Sequence, residues 1–452
     1  MKKILFFLIA LIPFAANSQK QGNIWYFGVT SGLDFSGGTP SLLYDGWTGV
    51  DAGGIEQEGT SCISDNFGNL LFYTGGQTIW NRFHNPMPNG LGLMGGVSST
   101  QSSLIVPLPG NDSIFYLFTS DMFQHYTSPP HHGYRYNIVN ICLDGGKGDI
   151  IAGQKNILLL DSATEKLAAC LDAAGSGYWI MGHKMFSDKF YAWHLTSGGI
   201  TDTVISGTGT VHGLLGNGNW EHEAAQGQMK FNPQGTKLAL AISNFDPAII
   251  DLFDFDSNTG LLSNACHMVI DSALGKRIYG VEFSPDGTKL YGGVAGGTNE
   301  KRVYQFDVTA GGGNCNSVIA SRFTLFQSSY NSIMKGMQLA PDNKIYLVCN
   351  SNFDLGRINF PDLAGMAADF DSLAIVISGF NEYTLPSFIA GYHYLNGTPN
   401  CPASVGIENA GPGKAPVFSN LVTDVVHFTN TCVYKDYRIF DTIGKQVLKG
   451  EL

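Results

Sequence analysis

Charge is scarce in this sequence, and so are the ingredients of long helices. Only 14% of the 452 residues are Asp, Glu, Lys or Arg, and apolar residues almost nowhere recur at the 3.6-residue spacing of an amphipathic helix, residues 363–367 being the one short exception. What remains is the composition of strands and tight turns. Positive charge is scarcer still: 26 Lys and Arg stand against 37 Asp and Glu, a net charge of −11. With no basic cluster to offset it, an acidic surface repels phosphate backbones, and nucleic acid is a poor partner. No stretch beyond the N-terminal run approaches the ~20 apolar residues that span a bilayer as a helix, so no membrane span is expected in the mature chain. None of the eight cysteines forms a CxxC pair, which argues against zinc ribbons and thioredoxin-like redox chemistry. GxSxG elbows, HExxH helices and P-loops are missing as well. No catalytic set, metal or cofactor is therefore expected, although a triad is recognised by geometry and not by order along the chain.

The N-terminus reads Met1-Lys2-Lys3, an apolar run from Ile4 to Ala16, then Asn17-Ser18-Gln19. That charged, apolar, small-residue order is a cleavable secretory signal over residues 1–18, and no Cys follows the run to take a lipid. Losing Lys2 and Lys3 takes the net charge from −11 to −13. The oxidising destination permits disulfides. Cys266 with Cys315, and Cys401 with Cys432, are the first pairs to test, while Cys62, Cys142, Cys170 and Cys349 lie in strand-like runs where a thiol serves as an apolar filler.

Three segments share one frame: Phe231-Asn232-Pro233-Gln234-Gly235-Thr236-Lys237-Leu238, Phe283-Ser284-Pro285-Asp286-Gly287-Thr288-Lys289-Leu290, and Leu339-Ala340-Pro341-Asp342-Asn343-Lys344-Ile345. Their prolines are 52 and 56 residues apart. Proline presets the first corner of a type I turn and Gly or Asn takes the left-handed position, so each is a tight hairpin. Weaker copies begin at Ser64, Leu108 and Phe186. Periods near fifty residues belong to propeller blades of four short strands. The fold expected is all-β: a β-propeller of about seven blades, within a range of six to eight, over residues 19–398. The runs around Ile250–Asp256 and Val303–Val308 read as outer strands. A blade pairing the C-terminal run 387–394 with the N-terminal run 23–27 would close the ring and hide two edges. A β-sandwich followed by a second domain is the rival arrangement.

Several stretches resemble a family of secreted propellers of Bacteroidetes-type bacteria exported by the type IX secretion system: Asn23-Ile24-Trp25-Tyr26-Phe27-Gly28, Ser99-Thr100-Gln101-Ser102-Ser103-Leu104, Thr164-Glu165-Lys166-Leu167 and Leu385-Pro386-Ser387-Phe388-Ile389. The resemblance covers nearly the whole mature chain and implies a surface-exposed or released propeller with no defined catalytic residues. After a Gly/Pro/Ala-rich linker over 399–416, residues 417–452 are similar to part of a type IX C-terminal sorting domain, best at Tyr437-Arg438-Ile439-Phe440-Asp441-Thr442-Ile443-Gly444. Ser419 and Leu421 stand where such domains carry proline, and the chain stops before the last strands, giving an incomplete β-sandwich-like segment. The secretion machinery is a partner if this tail works; otherwise the expected location is periplasmic.

Candidate chemistry is sparse. Trp220, Glu221 and His222, in a Gly/Asn-rich stretch, form the binding candidate, with Trp220 suited to stack on a sugar. Alternation in an extended segment would point Glu221 and Glu223 one way and His222 the other, which argues against a metal cluster. His131-His132 is a second loop-like pair, and Asp254 to Gly260 departs from a calcium loop at its Gly and Glu positions, reading instead as an Asx-type turn. The function these features favour is a secreted or cell-surface, noncatalytic module that binds or scaffolds a protein or glycan. An extracellular hydrolase or lyase with its site at the propeller channel mouth is the alternative.

Overall fold

The computed structural model describes residues 20–48, 58–126, 130–213, 222–243, 248–271, 276–296, 301–328, 334–349, 354–377, 384–399, 401, 436–440 and 446–451. Seven antiparallel sheets follow one another along the chain and stand as the blades of a β-propeller. Blade 1 has three strands, Ile24–Phe27, Ser31–Asp34 and Ser41–Leu43. Blade 2 comprises Ser61–Ser64, Leu70–Thr74, Thr78–Asn81 and Pro86–Leu91. Blade 3 begins Ser103–Pro107, Ile114–Ser120 and Tyr134–Asn140, with two short segments, Asp149–Ile150 and Ile157–Leu160, sharing its outer edge. Blade 4 runs through Ala163–Leu171, Tyr178–Lys184, Lys189–Thr196 and Gly199–Gly207. Blade 5 has Met229–Phe231, Lys237–Ile242, Ala248–Asp256 and Leu261–Asp271. Blade 6 has Lys276–Phe283, Lys289–Gly296, Lys301–Asp307 and Phe323–Ser328. Blade 7 has Met334–Leu339, Ile345–Cys349, Asp354–Ile358 and Phe370–Val376. Ile250–Asp256 and Val303–Asp307 are thus third strands, not the outermost ones. The short helical expectation at 363–367 corresponds to a single 3-10 turn, Gly365–Ala368.

The proline corners join first to second strands in blades 5, 6 and 7, and the copies at Ser64 and Leu108 do the same in blades 2 and 3. The copy at Phe186 does not. It links the second and third strands of blade 4, whose true first corner is Asp172 to Gly177, closed by the Asp172 amide on the Gly177 carbonyl at 2.9 Å. The Ser-Asp-Lys pattern there mimics the repeat because any Asx-type hairpin favours those residues. At Gly287 φ is +71°, and a Cβ would meet the side-chain ends of Gln234 and Asn232 and no backbone. Gly287→Ala is therefore expected to cost mainly the left-handed backbone penalty, about 1–2 kcal/mol, read as a lower urea midpoint.

Aromatic rings join blade to blade. Phe72 meets Phe115 across blades 2 and 3, Tyr134 meets Trp193 across 3 and 4, Phe190 meets Phe253 across 4 and 5, and Phe326 meets Phe370 across 6 and 7. Trp25 of blade 1, fully buried, packs edge-on against Tyr346 of blade 7 at 6.2 Å and closes the circle. Such pairs contribute about 0.5–1.5 kcal/mol each beyond the area they bury.

The ends meet differently from the expected ladder. The run from Thr384 makes a single parallel bridge, Ser387 to Ser61 of blade 2, with the Ser387 amide on the Thr60 carbonyl at 2.8 Å. Its contact with the N-terminal strand is through rings, Phe388 lying 5.6 Å from Trp25. Tyr26 pairs with Gly32 of its own blade, and on its other edge its amide is taken by Cys62 Sγ and its carbonyl by the Thr60 hydroxyl, at 3.1 and 3.0 Å, which leaves neither for the C-terminal run. The chain then crosses the face that carries the corners: the Tyr392 hydroxyl donates to the Leu339 carbonyl, His393 bonds the Pro233 carbonyl at 3.1 Å, and the Thr398 hydroxyl donates to Asn66 at 2.7 Å. A disulfide between Cys401 and Cys142 of blade 3 ends the crossing.

This corrects two cysteine expectations. Cys142 is not a core filler, since it is half-buried just past the end of a strand, and Cys401 is bonded to it and not to Cys432, which lies outside the described residues. Cys266–Cys315 forms as expected, and Cys62, Cys170 and Cys349 are buried thiols. The signal sequence, most of the linker and most of the tail also lie outside the described residues. Within the tail, Asp436–Phe440 and Gln446–Glu451 pair as an antiparallel hairpin. Among the described residues no helix is long and apolar enough to cross a membrane.

Candidate functional site

The innermost strands are polar where they line the axis. Two stretches that carry the family resemblance, Ser99 to Ser103 and Thr164 to Lys166, are wholly buried there. Buried polar groups cost free energy unless paired, and these are paired across blades. Gln101 accepts from the Leu167 and Met229 amides at 3.2 and 2.8 Å and donates to the Met229 carbonyl. One Glu165 oxygen accepts from the Thr100 amide and hydroxyl at 2.9 and 2.8 Å, and the other from the Phe123 amide at 2.9 Å. Lys166 donates to the carbonyls of Ala224, Ala225 and Gln226 at 3.2, 2.8 and 2.6 Å. Nearer the corner face, Lys230 pairs with Glu282 at 3.2 Å and bonds Gln338, while Glu282 accepts from the Leu339 amide at 3.0 Å.

At the corner end the axis is shut. Inner-strand residues and the crossing segment from Ser387 to Tyr392 leave about 20 Å³ between them, room for roughly one water. The opposite end holds a cavity of about 280 Å³. Inner strands start at this face and end at the corners, so the residues just before or at their starts line the cavity: Glu58 and Ser98 ahead of blades 2 and 3, Gln226 ahead of blade 5, Arg277 and Tyr279 on blade 6, Lys335 on blade 7. Phe123, Gln124, Glu223 and Ser243 complete the wall.

Glu58 is the buried acid of this mouth. It accepts from the Ser98 hydroxyl at 2.7 Å and the Tyr279 hydroxyl at 2.6 Å. Loss of water raises its pKa, and the nearby Glu165 charge raises it further. Glu165 is raised by burial too, against the pull of its hydrogen-bond donors, and burial lowers the Lys166 ammonium to about 7. A carboxyl raised in the fold binds protons that the unfolded chain has released above its ordinary value of 4.5, so its stabilisation is lost as pH rises. Glu58→Gln keeps the neutral form. The variant is expected to gain thermal stability relative to wild type progressively from pH 4.5 to 8, and a gap independent of pH would contradict this.

Two histidine groups lie beside this axis. His183 and His212 are fully buried and stacked at 3.8 Å, with no hydrogen-bond partner for any ring nitrogen among the described residues, and burial pushes both far below the usual imidazole value. Asp121 gathers the second group: His125 Nδ1 lies 2.6 Å and His131 Nδ1 2.9 Å from its carboxylate, and the His132 amide bonds it. Burial alone would raise Asp121, but these donors outweigh it and hold the carboxyl below its ordinary value. No group of three or more His, Cys, Asp or Glu among the described residues is arranged to hold a metal.

Of the sequence candidates, Trp220 and Glu221 lie outside the described residues. His222 opens a 3-10 turn, His222–Ala225, so the extended alternation assumed for it does not apply. Its ring packs against Tyr126 and Phe186, while its neighbour Glu223 faces the cavity and pairs with Arg277 at 2.6 Å. Asp254 to Gly260 is an Asx-type turn in which Asp256 accepts from the Asn258 amide at 3.0 Å and the Thr259 hydroxyl at 2.8 Å. Sequence reasoning missed Glu58, Glu165 and Tyr279. The one available cue was polar residues inside otherwise apolar strand-like runs.

No family model matches the chain, and no curated protein matches it in sequence. Solved propellers are similar to it in shape. Hydrazine synthase of Kuenenia stuttgartiensis aligns at 11% identity over 72% of this chain and 85% of its own, with a TM-score of 0.41. Hsv2 of Kluyveromyces lactis aligns at 13% identity over 76% and 92%, TM-score 0.38. The periplasmic gluconolactonase of Pseudomonas aeruginosa aligns at 12% over 54% and 64%, TM-score 0.34. The architecture of this chain rests on its own seven sheets.

Proposed function

We propose that this chain is a secreted or cell-surface, noncatalytic module that holds a protein or glycan at the open mouth of its propeller. The observation that carries this reading is a recess of about 280 Å³ whose acidic side chains are already engaged, Glu58 by the Ser98 and Tyr279 hydroxyls and Glu223 by Arg277. A cavity near the lower end of the ~300–1,000 Å³ range of ligand sites suits one end group of a larger partner. Two disulfides fit an oxidising compartment, as does the secretory pattern of residues 1–18. Resemblance to secreted propellers of Bacteroidetes-type bacteria, and of residues 417–452 to a type IX sorting domain, supports export past the outer membrane. Fusing residues 399–452 to a reporter tests that route, with surface display expected.

Function is tested by a glycan-array and co-purification screen of the mature chain. Retention of a partner that survives unaltered supports the binding reading, and Tyr279→Phe is expected to weaken it. One observation favours a hydrolase or lyase instead: Glu58, raised by burial and hydrogen-bonded to Tyr279, lines the cavity as a general acid would. Turnover of a captured glycan or peptide, lost in Glu58→Gln, would replace the binding reading with that one.

A further inference from the structure

A second recognition surface lies away from the axis, at the seam of blades 1 and 2. Of the tryptophans the structure describes, Trp25, Trp80, Trp179 and Trp193 are buried and Trp47 alone is exposed, at 47%. One face of Trp47 stacks on Trp80, centroids 6.3 Å apart and planes 27° apart. Trp80, 7% exposed and fixed in the Thr78–Asn81 strand, gives it a rigid base. Its own indole Nε1 is buried and has no hydrogen-bond partner among the described residues. The polar neighbours are equally fixed. Asp45, two residues before Trp47, accepts from the Tyr26 hydroxyl at 2.8 Å and lies 3.3 Å from His84 Nε2, and His84 Nδ1 meets the Tyr73 hydroxyl at 3.0 Å. Tyr26 belongs to blade 1 and Tyr73 to blade 2, so the chain of bonds holds Asp45 across the seam. Its side chain nevertheless remains 61% exposed.

We infer that Trp47 and Asp45 form a binding site for one pyranose unit of a neutral oligosaccharide, stacked on the free indole face with its hydroxyls donating to the carboxylate. An indole backed by a second ring offers a flat apolar plane without the entropy cost of a mobile side chain. A carboxylate has about four lone-pair positions; Tyr26 and His84 engage two of them, which leaves acceptors for sugar hydroxyls. The exposed negative charge of Asp45, two residues from the indole in sequence, disfavours uronates and other acidic sugars. The proposal is independent of the axial cavity, whose lining shares none of these residues.

The test is calorimetric titration of the full mature chain with cellohexaose, mannohexaose and chitohexaose, with oligogalacturonate as the acidic comparison. Saturable binding of at least one neutral hexaose is expected, weakened about tenfold or more by Trp47→Ala, less by Trp47→Phe, and severalfold by Asp45→Asn. Trp47 and Asp45 lie at the surface, so the variants should stay folded, with a lower melting temperature from the lost stacking and hydrogen bond that is recorded alongside. Failure of all three neutral sugars to bind, equal affinity in Trp47→Ala, or preference for oligogalacturonate would each overturn the inference.

Discussion

Replacing Lys166 with alanine is expected to destabilise the propeller by about 3–5 kcal/mol, the range for removing one partner of a buried charged network. The side chain is fully buried and donates to three successive carbonyls, Ala224, Ala225 and Gln226, the last of which also accepts from the Ser243 amide at 3.4 Å. Truncation takes their donor from the Ala224 and Ala225 carbonyls, opens a void, and removes a cation that acts on Glu165. Lys166→Met separates these effects: it refills most of the volume without restoring a donor, and is expected to recover part of the loss. Denaturant midpoints of the two variants measure this. A cost below about 1 kcal/mol for alanine would show that the buried network does not stabilise the ring. Because those carbonyls end at Gln226 on the cavity wall, the alanine variant is also expected to weaken any ligand held at the mouth.

Breaking the Cys142–Cys401 disulfide is the second large effect. It closes a loop of 259 residues, against 49 for Cys266–Cys315. In the chain-entropy treatment the first is worth about 5–6 kcal/mol and the second about 4, with measured values commonly about 2–4. The double variant Cys142→Ser, Cys401→Ser should therefore lose more stability than Cys266→Ser, Cys315→Ser. It also frees the segment that shuts the corner face, so protease should cut between residues 384 and 401 sooner in that variant alone. Equal losses and equal cleavage would show that the crossing segment is held without the bond.

The sequence made the blades legible because their corners are local. Pro285-Asp286-Gly287 specifies a hairpin through its own φ preferences, and three such corners, 52 and 56 residues apart, are visible without tertiary information. Blade 4 escaped that logic, since Asp172 to Gly177 turns on an Asp and glycines without proline, and the resembling residues at Phe186 sit one strand later. Closure was half legible. Aromatic residues at Trp25 and Phe388 marked two ends that must be buried, but the choice between a ladder and ring packing depended on Cys62 and Thr60 capturing Tyr26.

The site was less legible than the fold. Glu58, Ser98, Gln226, Tyr279 and Lys335 are dispersed over 277 positions of sequence, from 58 to 335, and only the ring brings their strand starts together. Trp220 drew attention because its Gly/Asn-rich surroundings suggest exposure, a local property. Trp47, flanked by Gly46 and Thr48, carries the same local hint, and its stacking partner Trp80 is set by a strand of the next blade.

The seven blades form a ring whose C-terminal segment crosses and shuts one face, while among the described residues the cavity lies at the other. Peptide mapping of the unreduced mature protein by mass spectrometry tests it most directly. The account predicts one linked peptide pair containing Cys142 and Cys401 and another containing Cys266 and Cys315. Recovery of Cys401 linked to Cys432, with Cys142 as a free thiol, would contradict it.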